Sequence, residues 1–340
     1  VETDGYPSVA VVVPFRNEVD NLPVLLRSLY AQHYSGDYEI ILVDDFSTDG
    51  GGAIGVPDDV NLRTLQLRDY PLFLRTAAHK KSALTLAISQ TDCQVIVTTD
   101  ADCQWQPGAL QRIGEAYRQG ADVVLGPVLI SPATDFCSAF QALDMAAYQL
   151  FTEATVTSGH PALANGANFS FRKQAFDQVG GYRGVDHLPS GDDVLLLHKF
   201  AATPGLAIRY TGDAESVVRT LPVTGWQALW QQRLRWAGKA GSYASPALTF
   251  AQAIAFCTSA VILICLGLGL ADGRFALVGL FVWGVKALVD ATLLRALCIR
   301  YDCRELMRWY PLAQLIYPIY LVSVGTAALL GVQVSWKGRP

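Results

Sequence analysis

The fold is decided by one stretch of the sequence, Val95-Ile96-Val97-Thr98-Thr99-Asp100-Ala101-Asp102. Its apolar first half predicts a buried strand, and its acidic second half places two carboxylates where that strand ends. Asp100 and Asp102 are one residue apart and therefore point to the same side of an extended chain. Open α/β sheets bind ligands at the carboxyl ends of their strands, and oxygen ligands suit Mg²⁺ or Mn²⁺. The stretch predicts a clamp for a metal ion and a diphosphate, provided that other segments supply a nucleotide site and a base.

The composition favours a membrane component over a nucleic-acid-binding protein. The 340 residues carry a net charge of -4, and only 16% of them are charged. The mean hydropathy is +0.26. Seven cysteines show no zinc-binding spacing, which is typical of reduced thiols in a cytosol-facing protein. The chain begins at Val1 rather than at a methionine, which leaves room for a preceding segment with a further membrane helix.

The segments before Asp100 alternate between apolar strands and amphipathic helices. Strands are predicted over Val9–Val13, Glu39–Val43 and Val60–Leu67, and a helix with leucines at helical spacing lies between the first two. This alternation predicts a doubly wound, mostly parallel α/β sheet.

Polar residues follow the second of these strands and precede a later helix. The pair Asp44-Asp45 stands where carboxylates commonly accept hydrogen bonds from a nucleotide, whereas Ser47–Asp49 is typical of a turn. The glycine-rich Gly50–Gly55 lacks a phosphate-loop signature and is predicted to be a flexible loop. Lys80 and Lys81 oppose the dipole of the helix that follows them, so they are either diphosphate ligands or ordinary surface lysines.

The segments after Asp102 continue the pattern. We predict a helix over Pro107–Gln119 with the proline in its first turn, a strand over Asp122–Val128 and a helix over Phe136–Glu153. The small residues of 164–169 permit close approach of the backbone to a ligand. Asp192 and Asp193 stand at the start of another helix. They either cap that helix or provide a general base.

The last hundred residues differ from the rest in their composition. A Trp- and Arg-rich amphipathic helix over Trp226–Tyr243 is predicted to lie in a membrane interface, and it includes Arg233 and Lys239 among its polar residues. Three apolar segments follow and are long enough to be transmembrane helices: Leu248–Leu270, Phe275–Leu297 and Pro311–Val334. The second holds Lys286 and Asp290, which can pair four residues apart. Arginines between the last two segments favour a cytosolic loop.

The order of these motifs resembles the family 2 glycosyltransferases, in the membrane-bound branch with cellulose, chitin and hyaluronan synthases and ceramide glucosyltransferase. The resemblance covers residues 8–240, and more loosely the tail, and it implies a GT-A-type fold. It implies that a nucleotide sugar is bound by Pro14, Asn17, Glu18, Asp44, Asp45, Lys80 and Asp100. It implies Mg²⁺ or Mn²⁺ at Asp100 and Asp102. The implied catalytic residues are Asp192, Asp193, Gln232, Arg235 and Trp236.

The implied chemistry is a single inverting displacement. Asp193 removes the proton of an acceptor hydroxyl, while Arg235 and Lys80 stabilise the leaving diphosphate and Trp236 offers its ring to a sugar. The family usually has glutamate at the position of Asp192, which leaves open which aspartate is the base. The tail Val334–Gly338 is similar to the gating loop of polysaccharide synthases on the cytosolic side. That match favours one apolar segment that does not span the membrane.

We therefore expect transfer of a sugar from a UDP-sugar to a lipid or glycan acceptor, at the cytosolic face of a bacterial inner membrane. Alternatives are a processive polysaccharide synthase, for which three helices are few, a non-catalytic sugar-nucleotide-binding regulator, and a small transporter. No nucleic-acid partner is expected. The predicted domains are a catalytic domain over 1–220, an interfacial helix over 221–246 and a membrane region of two to three helices over 247–340.

Overall fold

The computed structural model describes residues 5–51, 61–74, 78–188, 190–238, 243 and 245–332. The chain divides into two compact units, of which the first comprises Val1–Leu129 with Phe151–Leu221 and the second Ile130–Leu150 with Pro222–Pro340. Most of the glycine-rich loop, Lys239 and the tail motif Val334–Gly338 fall outside the described residues, as do parts of the predicted segments Val60–Leu67, Trp226–Tyr243 and Pro311–Val334. The domain boundaries at residues 220 and 246 stay predictions.

The first unit is built on a mixed seven-stranded sheet in the order β3-β2-β1-β4-β8-β6-β9. Its strands pair in parallel except β8, which runs antiparallel to both β4 and β6. A second, three-stranded sheet has the order β5-β10-β7. The strands are β1 (Val9–Phe15), β2 (Tyr38–Asp44), β3 (Leu62–Gln66), β4 (Val95–Thr98), β5 (Cys103–Trp105), β6 (Val123–Leu125), β7 (Val128–Ile130), β8 (Phe169–Arg172), β9 (Ile208–Tyr210) and β10 (Val218–Thr220).

Helices cover the large sheet and make up most of the second unit. They are α1 (Leu22–Tyr30), α2 (His79–Ser89), α3 (Ala109–Arg118), α4 (Phe136–Thr157), α5 (Lys173–Gln178), α6 (Asp192–Ala201), α7 (Gly225–Ala237), α8 (Pro246–Leu268), α9 (Gly273–Arg300) and α10 (Tyr310–Leu329). The predicted alternation of strands and helices around β1 and β2 is confirmed.

The apolar core of the first unit lies on both faces of the large sheet. Alternate residues of a strand face opposite sides, so Val9, Val11 and Val13 pack with leucines of α1 and with α3. Ala10 and Val12 pack on the other face with α2 and α6. Burial on both faces explains why β1 and β2 are continuous apolar runs, and it leaves only the strand ends free to carry polar groups.

Two details of the sequence prediction are wrong. The single strand expected over Asp122–Val128 is divided into β6 and β7, which belong to different sheets. Pro127 has no N–H for a ladder, and the Asn168 side-chain amide donates to the Pro127 carbonyl at 3.1 Å. The helix α3 begins at Ala109, so Pro107 lies before it rather than in its first turn.

In the part of the second unit that the structure describes, three helices are long and apolar enough to cross a membrane, namely α8, α9 and α10. The predicted pair within α9 forms, because the Lys286 ammonium contacts the Asp290 carboxylate. The side-chain amide of Gln314 on α10 donates to the same carboxylate at 3.0 Å. Lys286 and Asp290 are therefore paired within an apolar helix, and Asp290 is hydrogen-bonded to a neighbouring helix, which lowers the cost of these two charges in lipid.

Candidate active site

Asp100 and Asp102 follow β4 directly, at the carboxyl end of the central strands of the sheet. The Asp100 side chain is 39% exposed. Burial, together with the carboxylates of Asp100 and Glu18, raises the pKa of Asp102 to about 6. Three acidic side chains therefore crowd this edge of the sheet, and a cation bound among them would relieve their repulsion.

Lys80 connects Asp100 to the acidic pair at the start of α6. Its ammonium Nζ lies 2.7 Å from Asp100 Oδ1 and 3.3 Å from Asp192 Oδ2. Burial alone would lower the pKa of Lys80, but the carboxylates of Asp100, Asp192 and Asp193 raise it well above its usual range. The structure thus brings together four residues that the sequence places in three separate segments. Lys80 is therefore not an ordinary surface lysine, because two carboxylates hold its ammonium group.

The carboxylate of Asp193 is fixed by backbone donors. Its Oδ2 accepts a hydrogen bond from the Gly166 N–H at 2.9 Å, and its Oδ1 accepts one from the Val194 N–H at 2.7 Å. Burial and the neighbouring Asp192 raise the pKa of Asp193, while Lys80 opposes that shift. A carboxylate that is oriented in this way, with a raised pKa, has the properties of a general base.

At Gly166, in the small stretch 164–169, the backbone comes close to the charged groups. A Cβ atom added there would lie 3.3 Å from Lys80 Nζ, 3.4 Å from Asp192 Oδ2 and 3.7 Å from Asp193 Oδ2. The Thr98 hydroxyl donates to the Gly166 carbonyl at 2.7 Å and fixes this segment to the end of β4. The backbone at Gly166 therefore lies against the charged side chains of the site, and its close approach to a ligand stays a prediction.

The loops after β1 and β2 are joined by hydrogen bonds. The Asn17 N–H donates to the Ser47 hydroxyl at 3.0 Å, and Asn17 Oδ1 accepts from the Thr48 N–H at 2.8 Å. Asn17 has a left-handed φ of 55°, which asparagine tolerates better than most residues. Glu18 accepts from the Asn21 side chain at 2.6 Å. Pro14, the next-to-last residue of β1, pairs with Val43. Hydrogen bonds from Asn17 to the turn at Ser47 and Thr48 thus hold the two loops together.

The two carboxylates of the Asp44-Asp45 pair each have a basic partner that the sequence analysis missed. His79 Nδ1 lies 2.9 Å from Asp45 Oδ1, and Arg68 Nη2 lies 3.7 Å from Asp44 Oδ2. Both basic residues also flank Phe46, which has a left-handed φ of 59°. A bulky residue in that conformation needs support from its surroundings, and the two basic side chains provide it.

Lys81, the neighbour of Lys80, has a structural task. Its side chain is buried, and its Nζ donates to the backbone carbonyls of Val185, Leu188 and Ser190 at 2.7, 2.8 and 3.2 Å. Burial lowers its pKa. Successive residues of a helix point about 100° apart, so only one of the two lysines can face Asp100. The other holds the segment that leads to Asp192.

The residues at the end of β4 suit a divalent cation that shares its ligands with a substrate. Among the described residues, no group of three or more His, Cys, Asp and Glu side chains could hold a metal ion alone. Two carboxylates one residue apart, with the raised pKa of Asp102, nevertheless form an oxygen donor set that a cation would stabilise. Mg²⁺ and Mn²⁺ commonly bind through one or two carboxylates and complete their coordination with substrate phosphates and water.

The remaining predicted site residues, Gln232, Arg235 and Trp236, lie on α7 in the second unit. All three are partly buried. The prediction for Arg233 is wrong, because it is buried rather than on a polar surface and forms an ion pair with Asp144 of α4 at 2.9 Å. The signal that could have revealed this pair is Asp144 itself, the only charged residue in the apolar stretch 136–152.

Comparisons with known proteins place the first half of the chain in a family. Residues 10–180 match the glycosyl transferase family 2, a segment that includes Asp44, Asp45, Lys80, Asp100 and Asp102 and ends before Asp192. The undecaprenyl-phosphate 4-deoxy-4-formamido-L-arabinose transferase of Photorhabdus laumondii is 35% identical over 123 residues, which cover 34% of this chain and 35% of the relative. The enzyme of that name from Pectobacterium carotovorum is 36% identical over 128 residues, 36% of this chain and 37% of its own. The chain thus spans about a third of the length of these curated relatives.

A solved structure extends the likeness of fold to most of the chain. The mannosyltransferase PcManGT from Pyrobaculum calidifontis, in complex with GDP-Man and Mn²⁺, superimposes with a TM-score of 0.55 at 20% identity. The superposition covers 96% of this chain and 88% of that one, and it confirms the predicted GT-A-type α/β fold. Half of the chain matches the family. The chain therefore belongs to glycosyl transferase family 2.

Proposed function

We propose that this enzyme transfers a sugar from a nucleotide sugar, a UDP-sugar in the first place, to a membrane lipid acceptor. One observation carries the proposal: Lys80 joins Asp100, at the end of β4, to Asp192 at the start of α6, beside Asp193. Asp100 belongs to the segment that is suited to bind the donor diphosphate. Asp192 and Asp193 are suited to act on the acceptor. The names of the relatives, which refer to undecaprenyl phosphate, support a lipid acceptor.

In the proposed mechanism, the loops after β1 and β2 bind the nucleotide through Pro14, Asn17, Glu18, Asp44 and Asp45. Mg²⁺ or Mn²⁺, held by Asp100 and Asp102, would supply positive charge to the departing diphosphate. Lys80 lies against Asp100 and adds a second positive charge on that side. Positive charges that are already in place stabilise the leaving diphosphate most strongly in a site that excludes water.

For a hydroxyl acceptor, Asp193 is proposed as the base that removes the hydroxyl proton as the oxygen attacks; a lipid phosphate would attack as an anion and would need no base. Its two oxygens accept from Gly166 and Val194, so that the carboxylate keeps one orientation. Asp192 forms the ion pair with Lys80 and is proposed to hold that lysine rather than to take the proton. Attack from the face opposite the leaving group inverts the anomeric centre. Gln232, Arg235 and Trp236 are proposed to serve the diphosphate and the acceptor in the same reaction.

The three apolar helices support a membrane location, and we propose a bacterial inner membrane with the catalytic residues in the cytosol. The number of helices favours transfer of one or a few sugars over processive synthesis, since a polymer would need a channel. The buried acidic pair distinguishes an enzyme from a regulator that only binds sugar nucleotides.

The test is release of nucleoside diphosphate by the detergent-purified protein with Mg²⁺ or Mn²⁺, over a panel of UDP- and GDP-sugars, with and without membrane lipid extract. Release that requires one sugar nucleotide and the lipid supports the proposal and identifies the donor. Release without lipid, together with a lengthening insoluble product, would instead indicate a processive synthase. No transfer with any donor, despite nucleotide binding, would refute the proposal.

A further inference from the structure

The helix α7 carries one side chain that is far more buried than its neighbours. The Arg233 side chain is 1% exposed, and that of its partner Asp144 is 4% exposed. The carboxylate of Asp144 has a second contact, with the Tyr320 hydroxyl of α10 at 3.5 Å. Burial raises the pKa of Asp144, and Arg233 opposes that shift. An ion pair of the second unit is thus enclosed by α4, α7 and α10.

The guanidinium of Arg233 is also in contact with the aromatic rings that flank it. Its Cζ lies 4.3 Å from the centroid of the Trp236 ring and 5.8 Å from that of the Tyr148 ring. Tyr148 meets Trp236 edge to face at 6.1 Å. Residues three apart share a helix face, and a planar guanidinium stacks on an indole better than an ammonium does. Trp236 therefore contacts both an arginine of its own helix and a tyrosine of α4.

This arrangement is costly if it serves stability alone. The Nε and Nη1 atoms of Arg233 are buried and make no hydrogen bond among the described residues. Replacing a buried ion pair with apolar residues is often neutral or stabilising, whereas such pairs can fix one conformation among several. The feature that this pair fixes most directly is the orientation of the Trp236 ring.

We propose that Arg233, held by Asp144, is a positioning residue that sets the Trp236 ring for binding of the acceptor sugar or lipid head group. The inference rests on the proposed function, in which Trp236 serves the acceptor. Arg233 itself need not contact substrate. The two arginines of α7 therefore differ in their surroundings. Arg235 is partly exposed, whereas Arg233 is buried within the unit.

The test compares Arg233→Lys with the wild-type enzyme. Lysine keeps the positive charge beside Asp144 but loses the flat surface against Trp236. We expect the KM for the acceptor to rise about tenfold, while the KM for the nucleotide sugar is unchanged. A matched control is Arg172→Lys, since Arg172 lies 5.3 Å from the Tyr117 ring centroid in the first unit; this variant should change neither KM.

A double-mutant cycle separates positioning from a general structural effect. If Arg233 acts through the indole, Arg233→Lys should have no further effect on the acceptor KM in a Trp236→Phe background. Additive effects, or equal changes in both KM values, would overturn the inference. If Arg233→Lys does not fold, Asp144→Asn tests the same contact with the arginine intact. Failure of the wild-type enzyme to transfer sugar at all would refute the proposed function and not this inference.

Discussion

Removal of the ammonium of Lys80 should change the pH dependence of catalysis in a defined direction. Lys80 Nζ and Asp193 Oδ2 both lie within 4 Å of the position that a Gly166 Cβ would occupy, so they are no more than about 7 Å apart. At an effective dielectric constant of about 20, unit charges at that distance interact by about 2 kcal/mol. The Lys80 side chain is 29% exposed, and screening by water reduces this interaction energy to about 1.4 kcal/mol. That energy corresponds to about a tenfold change in the protonation equilibrium of Asp193.

The sign follows from the role of the base. Asp193 must be ionised to accept a proton, and the Lys80 cation favours the ionised form. In Lys80→Met, Asp193 stays protonated to a higher pH, so the acid limb of the pH–rate profile should move upward. At a pH well down that limb, we expect about a tenth of the wild-type rate after each enzyme is normalised to its own plateau.

The assay is release of nucleoside diphosphate between pH 5 and 8 at saturating donor, with acceptor varied to obtain kcat/KM. Lys80→Arg keeps the charge and should retain the wild-type position of the acid limb. A Lys80→Met variant whose plateau falls, but whose acid limb does not move, would show that the lysine acts only on the donor side. That result would refute the electrostatic link between Lys80 and Asp193.

Three further outcomes are expected. Asp193→Asn should lower transfer to a hydroxyl acceptor by at least a hundredfold and preserve nucleotide binding, whereas equal losses of both would disprove its role as base. Lys81→Met should lower the free energy of unfolding by about 3 kcal/mol, because three partly buried carbonyls lose their donor; thermal unfolding in detergent measures this, and an unchanged midpoint would contradict it. Chelation of divalent cations should stop transfer, and Mn²⁺ or Mg²⁺ should restore it, so an undiminished rate in excess chelator would exclude a metal at Asp100 and Asp102.

Local patterns in the sequence were sufficient for the sheet and for its acidic edge. Apolar runs such as Val9–Val13 are buried on both faces, and the carboxyl ends of parallel strands necessarily meet at one edge. For this reason the sequence could indicate both Asp100 and the Asp44-Asp45 pair. The small residues of 164–169 predicted a close approach of the backbone to a ligand, and in the structure Gly166 lies against the charged side chains of the site.

The partners of the charged residues could not be predicted in the same way. The pairing of Arg233 with Asp144 depends on a helix almost ninety residues earlier, and an amphipathic pattern does not distinguish a solvent-facing stripe from one that faces a partner. The different tasks of Lys80 and Lys81 follow from the rotation of α2, which depends on packing. His79 and Arg68 lack any motif, and only the folded loops bring them to Asp45 and Asp44.

The division of α4 between the two compact units limits how the enzyme can be shortened. Its first four turns, up to Leu150, belong to the second unit, and its last residues belong to the first. A fragment that ends near residue 221 would retain Asp144 and Phe140 but lose Arg233, Trp226 and Tyr320, which cover them. The fragment would expose the Asp144 carboxylate without its ion-pair partner, next to the uncovered ring of Phe140. Such an exposed apolar surface is prone to self-association. Biochemical work on the isolated catalytic part would therefore need a redesigned helix.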